Sequence, residues 1–321
     1  MRYFVEPWNP SFGSPNHLDG SGSGSGPAPQ STAELKLDVE LAVKSWRPLP
    51  ARPDVGTPPV VLLVDGVRRI DAYLWAQDSE GNSHPAVAAS YAAGVVRCDL
   101  RRKVAEVIHY QVRRGLFTPA PDATAIGVPP GVYLPRPTNG TQHEDLAKAV
   151  QTAMLALELV VSEEVRESTV DDDDLLVTDG PLRGRHRLAR AIGYTKTLGA
   201  EYLAPQQARV VTACRPGERS PVFTTGPQWP HYSWYLRLPG PASHPWAGMV
   251  LVQGSPELTA EQATALADRS AATLPRFAST AYKDPRAPQN LVPIAGLERR
   301  LRGLLGDPKL LHRTLAKASV Q

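Results

Sequence analysis

The chain has 321 residues, a formal net charge of +3 and 42% apolar side chains, enough to bury a core in one large or two small domains. That composition excludes a chain disordered along its length, and no apolar run approaches the roughly 18 residues of a membrane-spanning helix. Two cysteines, Cys98 and Cys214, exclude a disulfide scaffold and suit a reducing cytoplasm. The opening residues carry no basic stretch before an apolar one, so no secretory leader is readable. Proline, 32 of 321, is at about twice its average usage and announces many irregular connections. The charge is segregated: Pro181–Arg219 holds eight Lys/Arg against two Glu, and Arg276–Gln321 holds nine against three acids. Two segments of +6 therefore stand against a remainder of −9, the pattern of a chain that meets a polyanion with one face and holds cations with another.

Residues 1–30 are rich in Pro, Gly and Ser, with a Gly/Ser alternation from Gly20 to Gly26, and read as a flexible N-terminal arm. Residues 32–45 have mixed period and fit a strand or a short helix, and a Pro-rich connector leads to residue 54. Arm and connector thus span 1–54, ahead of one domain over 55–321. Val60–Val64 is a continuous aliphatic and β-branched run, the mark of a strand buried on both faces. Ala86–Leu100 and Ala105–Phe117 read as strands, antiparallel neighbours, followed by a Pro/Gly loop over 118–140. His143–Ser168 is the clearest helix, with Leu146, Val150, Met154, Leu157 and Val161 at spacings of three and four. The run Asp171–Asp174 reads as a solvated loop that ends this helix, since it lacks the spaced ligands and Gly of a calcium loop. Leu175–Thr178 is a short buried strand. Arg187–Leu203 reads as a helix, and Ala208–Cys214, Pro221–Thr225, Ser233–Leu238 and Gly248–Gly254 as strands. Glu257–Phe277 is a helix, and two short basic helices centre on Leu297 and Leu311. Strands mixed with helices make an α/β domain.

Two apolar strands end in Asp-Gly, at Asp65 and Asp179. Either dipeptide alone is also a turn signal, but strand ends are where α/β sheets place functional side chains. If the strands are neighbours, their carboxylates lie about one inter-strand spacing apart, roughly 5 Å, near enough to share divalent metals. Glu158, flanked by Leu157 and Leu159 and four residues after Met154, projects near the apolar stripe of its helix and is the best third carboxylate; a helix-edge glutamate paired with a lysine is the alternative. Glu163 and Glu164 belong to a solvated run. The histidines form no HxH or HExxH pair, and no GxSxG elbow or GxxxxGK[ST] loop is present. Separated acids beside basic segments fit metal-dependent phosphodiester hydrolysis.

These residues resemble a known family. Val64-Asp65-Gly66-Val67-Arg68-Arg69, Met154 to Glu158, Leu176 to Leu182, Ile192-Gly193-Tyr194-Thr195-Lys196, Trp234 to Leu238 and above all Tyr282-Lys283-Asp284-Pro285-Arg286-Ala287-Pro288-Gln289-Asn290-Leu291 are similar to the bacterial branch of the NurA nucleases, as is Glu6-Pro7-Trp8-Asn9-Pro10. The resemblance implies a ribonuclease H-like mixed sheet flanked by helices, and a Mn²⁺-dependent (or Mg²⁺-dependent) 5′→3′ DNA exonuclease, with single-strand endonuclease activity a further option. It also implies a cytoplasmic homodimer that partners the hexameric HerA ATPase in DNA-end resection and break repair. Carried over, Asp65, Glu158 and Asp179 become the metal carboxylates for one or two ions. Archaeal members add a late His where this chain has Tyr282-Lys283-Asp284, which leaves the fourth ligand open between Asp284, His312 and none.

In that frame Lys196 contacts the scissile phosphate or its developing charge, and Arg68, Arg69, Arg183 and Arg286 track the DNA backbone. Tyr194, Trp234 and Tyr235 either stack on unpaired bases or fill the core. A non-catalytic adaptor of the same fold, binding DNA or the ATPase, is the competing reading, and an RNA-directed hydrolase another. The intact carboxylate set favours an enzyme over the adaptor.

Overall fold

The computed structural model describes residues 35–318 except 130, 169–172, 197–202, 227–230 and 242. The arm expected over 1–30 and the Glu6–Pro10 stretch, together with Asp171 and Asp172, lie outside the described residues. In chain order the strands and helices are β1 (Leu35–Lys36), β2 (Leu49–Pro50), β3 (Val60–Gln77), β4 (Ser83–Asp99), β5 (Val104–Thr118), β6 (Ile126–Val128), β7 (Gly131–Pro137), α1 (His143–Ser168), β8 (Asp174–Asp179), β9 (Ala191–Thr195), α2 (Pro205–Thr212), β10 (Glu218–Arg219), β11 (Phe223–Thr225), β12 (His231–Arg237), β13 (Met249–Gly254), α3 (Ala260–Thr273), α4 (Val292–Leu304) and α5 (Pro308–Ala318). They build a large mixed sheet flanked by helices. Among the described residues no helix is long and apolar enough to cross a membrane.

The chain divides into two compact units, one from Met1–Leu63, Cys98–Ala105 and Asp171–Ala295, the other from Val64–Arg97, Glu106–Val170 and Gly296–Gln321. In the first, the strand order runs β1-β11-β12-β13-β9-β8 and ends on the opening residues of β3. β1–β11, β11–β12, β12–β13 and β13–β9 pair antiparallel, and β8 and β9 pair in parallel, with Leu176 facing Ala191 and Asp179 facing Tyr194. Its core gathers Trp46, Val211, Phe223, Tyr235, Met249 and Leu251. In the second, the order is β3-β4-β5-β7-β6, with Ala72, Ala86, Ala88, Leu116, Tyr133, Leu311 and Leu315 in one cluster.

α1 forms as its periodicity dictates. Leu146, Val150, Met154, Leu157, Val161 and Val165 are all buried, and Glu144 and Asp145 sit in the first turn, where carboxylates complement the helix dipole. α3 starts with a capping box: Thr259 Oγ1 accepts from the Gln262 amide at 3.2 Å while Gln262 Oε1 accepts from the Thr259 amide at 2.8 Å.

Five expectations need correction. The helix expected over Arg187–Leu203 is instead the buried strand β9 over Ala191–Thr195, because sheet pairing with β8 and β13 outweighs the helix propensity of its flanks. A Cβ at Gly193 would stand 2.4 Å from the Leu182 amide nitrogen, so that glycine is a close-approach residue of the sheet. The strand expected over Ala208–Cys214 is the helix α2; Pro205 opens it, the N1 position that proline favours, and Val211 is fully buried in the core. The loop expected over 118–140 contains β6 and β7, and β7 runs parallel to β5 with Leu134 opposite Gly115. Asp174 does not belong to a solvated loop: it opens β8, is 1% exposed and accepts from Arg190 Nε at 3.0 Å. Asp65 does not end its strand; it is an interior residue of β3, which continues to Gln77.

The first unit also buries charge. The Arg219 side chain, 1% exposed, donates from Nη1 and Nη2 to the two Glu40 oxygens at 2.7 and 2.8 Å, and from Nε and Nη2 to Asp268 Oδ1 at 2.9 and 2.6 Å. Removing one member of such a set strands the rest in low dielectric. Arg219→Ala is therefore expected to cost about 3–5 kcal/mol, read as a shift of the urea midpoint at constant slope; a loss within the scatter of surface substitutions would refute the assignment. Burial also pushes the Cys98 thiol up to about 11 and the Cys214 thiol up to about 12. Both should resist a thiol reagent at pH 8 in the native protein and react once urea unfolds it, since the thiolate is the nucleophile.

Candidate metal centre

The run Val60–Asp65 is buried at every position, so the aliphatic start of β3 carries a carboxylate into the interior at Asp65, 7% exposed. Asp65 Oδ1 accepts from the Gly66 amide at 2.8 Å. The glycine is there for space and not for a turn: a Cβ at position 66 would meet Glu158 Oε1 at 2.6 Å and Met154 Cγ at 3.0 Å. Glu158 itself is 2% exposed, lodged in the apolar stripe that its spacing from Met154 and Leu157 announced. A third carboxylate joins them from α4, where Glu298 brings an oxygen within 4.8 Å of one on Asp65. Its side chain is 14% exposed and pairs with Arg302 Nη2 at 3.5 Å. Asp65, Glu158 and Glu298 all belong to the second unit. Carboxylates taken out of water at one place are costly unless cations or donors meet them, and oxygen-rich sites of this kind suit Mg²⁺ or Mn²⁺.

Glu298 is absent from the sequence reading, although a signal was there: it is the acid of α4 and directly follows Leu297, a buried residue, the same relation that singled out Glu158.

The first unit carries the other half of the predicted set. Asp179 is the last residue of β8 and accepts from Lys196 Nζ at 2.5 Å. Lys196, just past β9 and 8% exposed, also donates to Asn290 Oδ1 at 2.8 Å. Asn290 Nδ2 in turn donates to Asp284 Oδ2 at 2.6 Å, and the Arg286 amide donates to Asp284 Oδ1 at 2.8 Å. Asp179, Lys196, Asn290 and Asp284 thus form one polar chain. Tyr194 seals it from below, with its hydroxyl donating to the Gln289 carbonyl at 2.7 Å; burial first, then the charge of Asp179, holds that phenol well above its ordinary range. Asn290 belongs to the stretch that carries the resemblance, and its fully buried amide is a link that only the fold exposes.

The predicted backbone-tracking arginines fall into different settings. Arg68 is exposed and donates to Gln151 Oε1 at 2.5 Å. Arg69 is engaged inward, with Asp71 Oδ1 at 2.8 Å, the Gly306 carbonyl at 2.8 Å and the Leu305 carbonyl at 3.3 Å. Arg183 is exposed, and Arg286 is half-buried in the segment that holds Asp284. His312 lies on the exposed face of α5. Tyr194, Trp234 and Tyr235, at 0%, 0% and 2% exposure, are core residues and not a stacking platform. Trp234 Nε1 donates to Ser270 Oγ at 2.9 Å, and Tyr235 stacks on Phe223.

No protein-family model matches the chain, and no curated protein does. Among solved structures, the endonuclease V of Bacillus subtilis aligns over 77% of this chain and 81% of its own at 16% identity and a TM-score of 0.33, a likeness too slight to carry a function across.

Gly66→Ala tests the packing that brings the helix carboxylate to β3. The added methyl displaces the far end of the Glu158 side chain, so the fold should survive with a loss of about 1–3 kcal/mol, while Mn²⁺ binding measured by calorimetry should weaken. Unchanged binding would show that the position of Glu158 does not matter to the ion.

Proposed function

We propose that this protein is a divalent-metal-dependent nuclease of the NurA kind, which trims DNA ends. The observation that carries the reading is the convergence of Asp65, Glu158 and Glu298 on the Asp65–Gly66 step of β3. The resemblance adds Asp179, the last residue of β8, to the ligands of one or two ions. When bound, Mn²⁺ or Mg²⁺ supplies a Lewis acid that activates water and steadies the leaving oxygen.

The chain's own groups do the rest. The Gly66 amide orients the Asp65 carboxylate. Lys196 spends two of its three N–H donors on Asp179 and Asn290, and its third is directed by this reading to a phosphate oxygen, where it balances charge and delivers a proton. Asp284 acts through Asn290, holding the amide so that its carbonyl faces Lys196. Partnership with a HerA-type hexameric ATPase, dimerisation and 5′→3′ polarity come to the proposal from the resemblance.

The test is degradation of 5′- and 3′-labelled single- and double-stranded DNA with Mn²⁺, Mg²⁺ or EDTA. The wild type should act with metal and stop in EDTA. Asp65→Ala, Asp179→Ala and Glu298→Gln should each fall to background with native circular dichroism, and Lys196→Gln should lose on the order of 10²–10⁴-fold. Full activity in the Asp65 or Asp179 variant would overturn the site, and an inert wild type in every metal would overturn the function.

A further inference from the structure

The last two helices sort their residues by charge. α4 and α5 bury Leu297, Leu301, Leu305, Leu311 and Leu315, and the last two pack into the cluster with Ala72, Ala88, Leu116 and Tyr133. Their outer faces carry Arg299, Arg300, Arg302, Lys309, Arg313 and Lys317, all exposed. Two acids lie in the same stretch: Glu298 reaches Asp65 and also pairs with Arg302 Nη2 at 3.5 Å, and Asp307 Oδ1 accepts from the Leu310 amide at 2.7 Å at the start of α5, so Arg299, Arg300, Lys309, Arg313 and Lys317 outnumber what is offset.

The hairpin is also pinned. Arg69 and Arg114 donate to the Leu305 carbonyl at 3.3 and 3.1 Å, and Arg69 to the Gly306 carbonyl at 2.8 Å, so two strands clamp the turn between the helices. Lys309, Arg313 and Lys317 recur every fourth residue on α5 and line up over about 12 Å, a length over which duplex DNA presents about seven phosphates. A basic amphipathic helix that lies on a membrane needs a free apolar face, and here that face is already spent on the core. By contrast, half of the other basic segment is consumed internally: Arg190 pairs with Asp174, Lys196 with Asp179 and Arg219 with Glu40 and Asp268, and Arg185 is buried.

We propose that the α4–α5 hairpin is a nucleic-acid surface that grips the phosphate backbone without reading base sequence. This extends the nuclease reading by naming what holds the substrate, and α4 joins the two roles, with Glu298 facing inward and Arg299, Arg300 and Arg302 outward on one rigid element.

The experiment measures binding apart from cleavage, as fluorescence anisotropy of a short labelled duplex in EDTA over a series of salt concentrations. For the full chain with Arg299→Gln, Arg300→Gln, Arg313→Gln and Lys317→Gln together, the slope of log affinity against log salt should fall by about 3–4, with an unchanged thermal melt. Arg101→Gln, Arg102→Gln and Lys103→Gln together, at the exposed turn between β4 and β5, should leave the slope as it is. An unchanged slope in the first variant, or an equal fall in the second, overturns the proposal. So does binding of polyglutamate or of phosphatidylserine vesicles as tight as that of DNA at equal salt, which would assign the face to an acidic protein or a lipid surface. A wild type that binds DNA through this face yet leaves it uncut in Mn²⁺ and in Mg²⁺ keeps the hairpin standing and removes the nuclease reading.

Discussion

Like charges repel, and the repulsion grows where water is excluded. Against that cost the second unit brings Asp65, Glu158 and Glu298 to one step of one strand. Each arrives on an element shaped by apolar forces: Asp65 on the buried run of β3, Glu158 on the stripe of α1, and Glu298 beside Leu297 on α4. The hydrophobic effect supplies the energy that holds the acids close, and a missing side chain at Gly66 supplies the room. A site of this kind is a store of negative potential, and its natural complement is a small, hard cation.

The first unit treats its acid the opposite way. Asp179 is met by the buried ammonium of Lys196, and the network continues through Asn290 to Asp284. Charge-assisted hydrogen bonds of this sort fix geometry strongly because they are made in a low dielectric. The segment from Asp284 to Leu291, which carries the most specific part of the family resemblance, owes its composition to this network. Its aspartate and asparagine are links of the chain, and its Gln289 carbonyl receives the Tyr194 hydroxyl. Arginine is likewise used in two ways. Arg219 and Arg69 are internal struts, while the arginines of α4 stay in water, so a sum of charges along the chain overstated the first basic segment and described the second well.

The legibility of the fold followed the strength of the local pattern. α1 was readable to its ends because apolar spacing, alanine content and acidic first turn all agree. The start of β3 and β8 from Leu175 onward were readable because aliphatic runs have few alternatives. β9 and α2 were misread because their local preferences point the wrong way: the alanine- and arginine-rich flanks of β9 suggest a helix, and the valine pair of α2 suggests a strand. In both, burial against distant partners outweighs a propensity worth a few tenths of a kcal/mol per residue. The β6–β7 pair was hidden among prolines: Pro135 and Pro137 lie past Tyr133, where β6 no longer pairs with β7, and an open strand edge tolerates that residue.

From its sequence alone, this protein was determined to be a mixed α/β chain with acids at the ends of apolar strands and on the stripe of a helix, and with two basic stretches, because composition and period are local properties. Asp65, Glu158 and Asp179 were singled out on that basis, as carboxylates beside buried runs, and Lys196 entered through the family resemblance. Only the tertiary structure decided that Asp65 lies within its strand, that Glu298 stands beside Asp65 and Asn290 beside Lys196, and that Tyr194, Trp234 and Tyr235 are core. Those outcomes depend on which residues distant in sequence pack together, and on a space at Gly66 that is set by Glu158, a residue on another element.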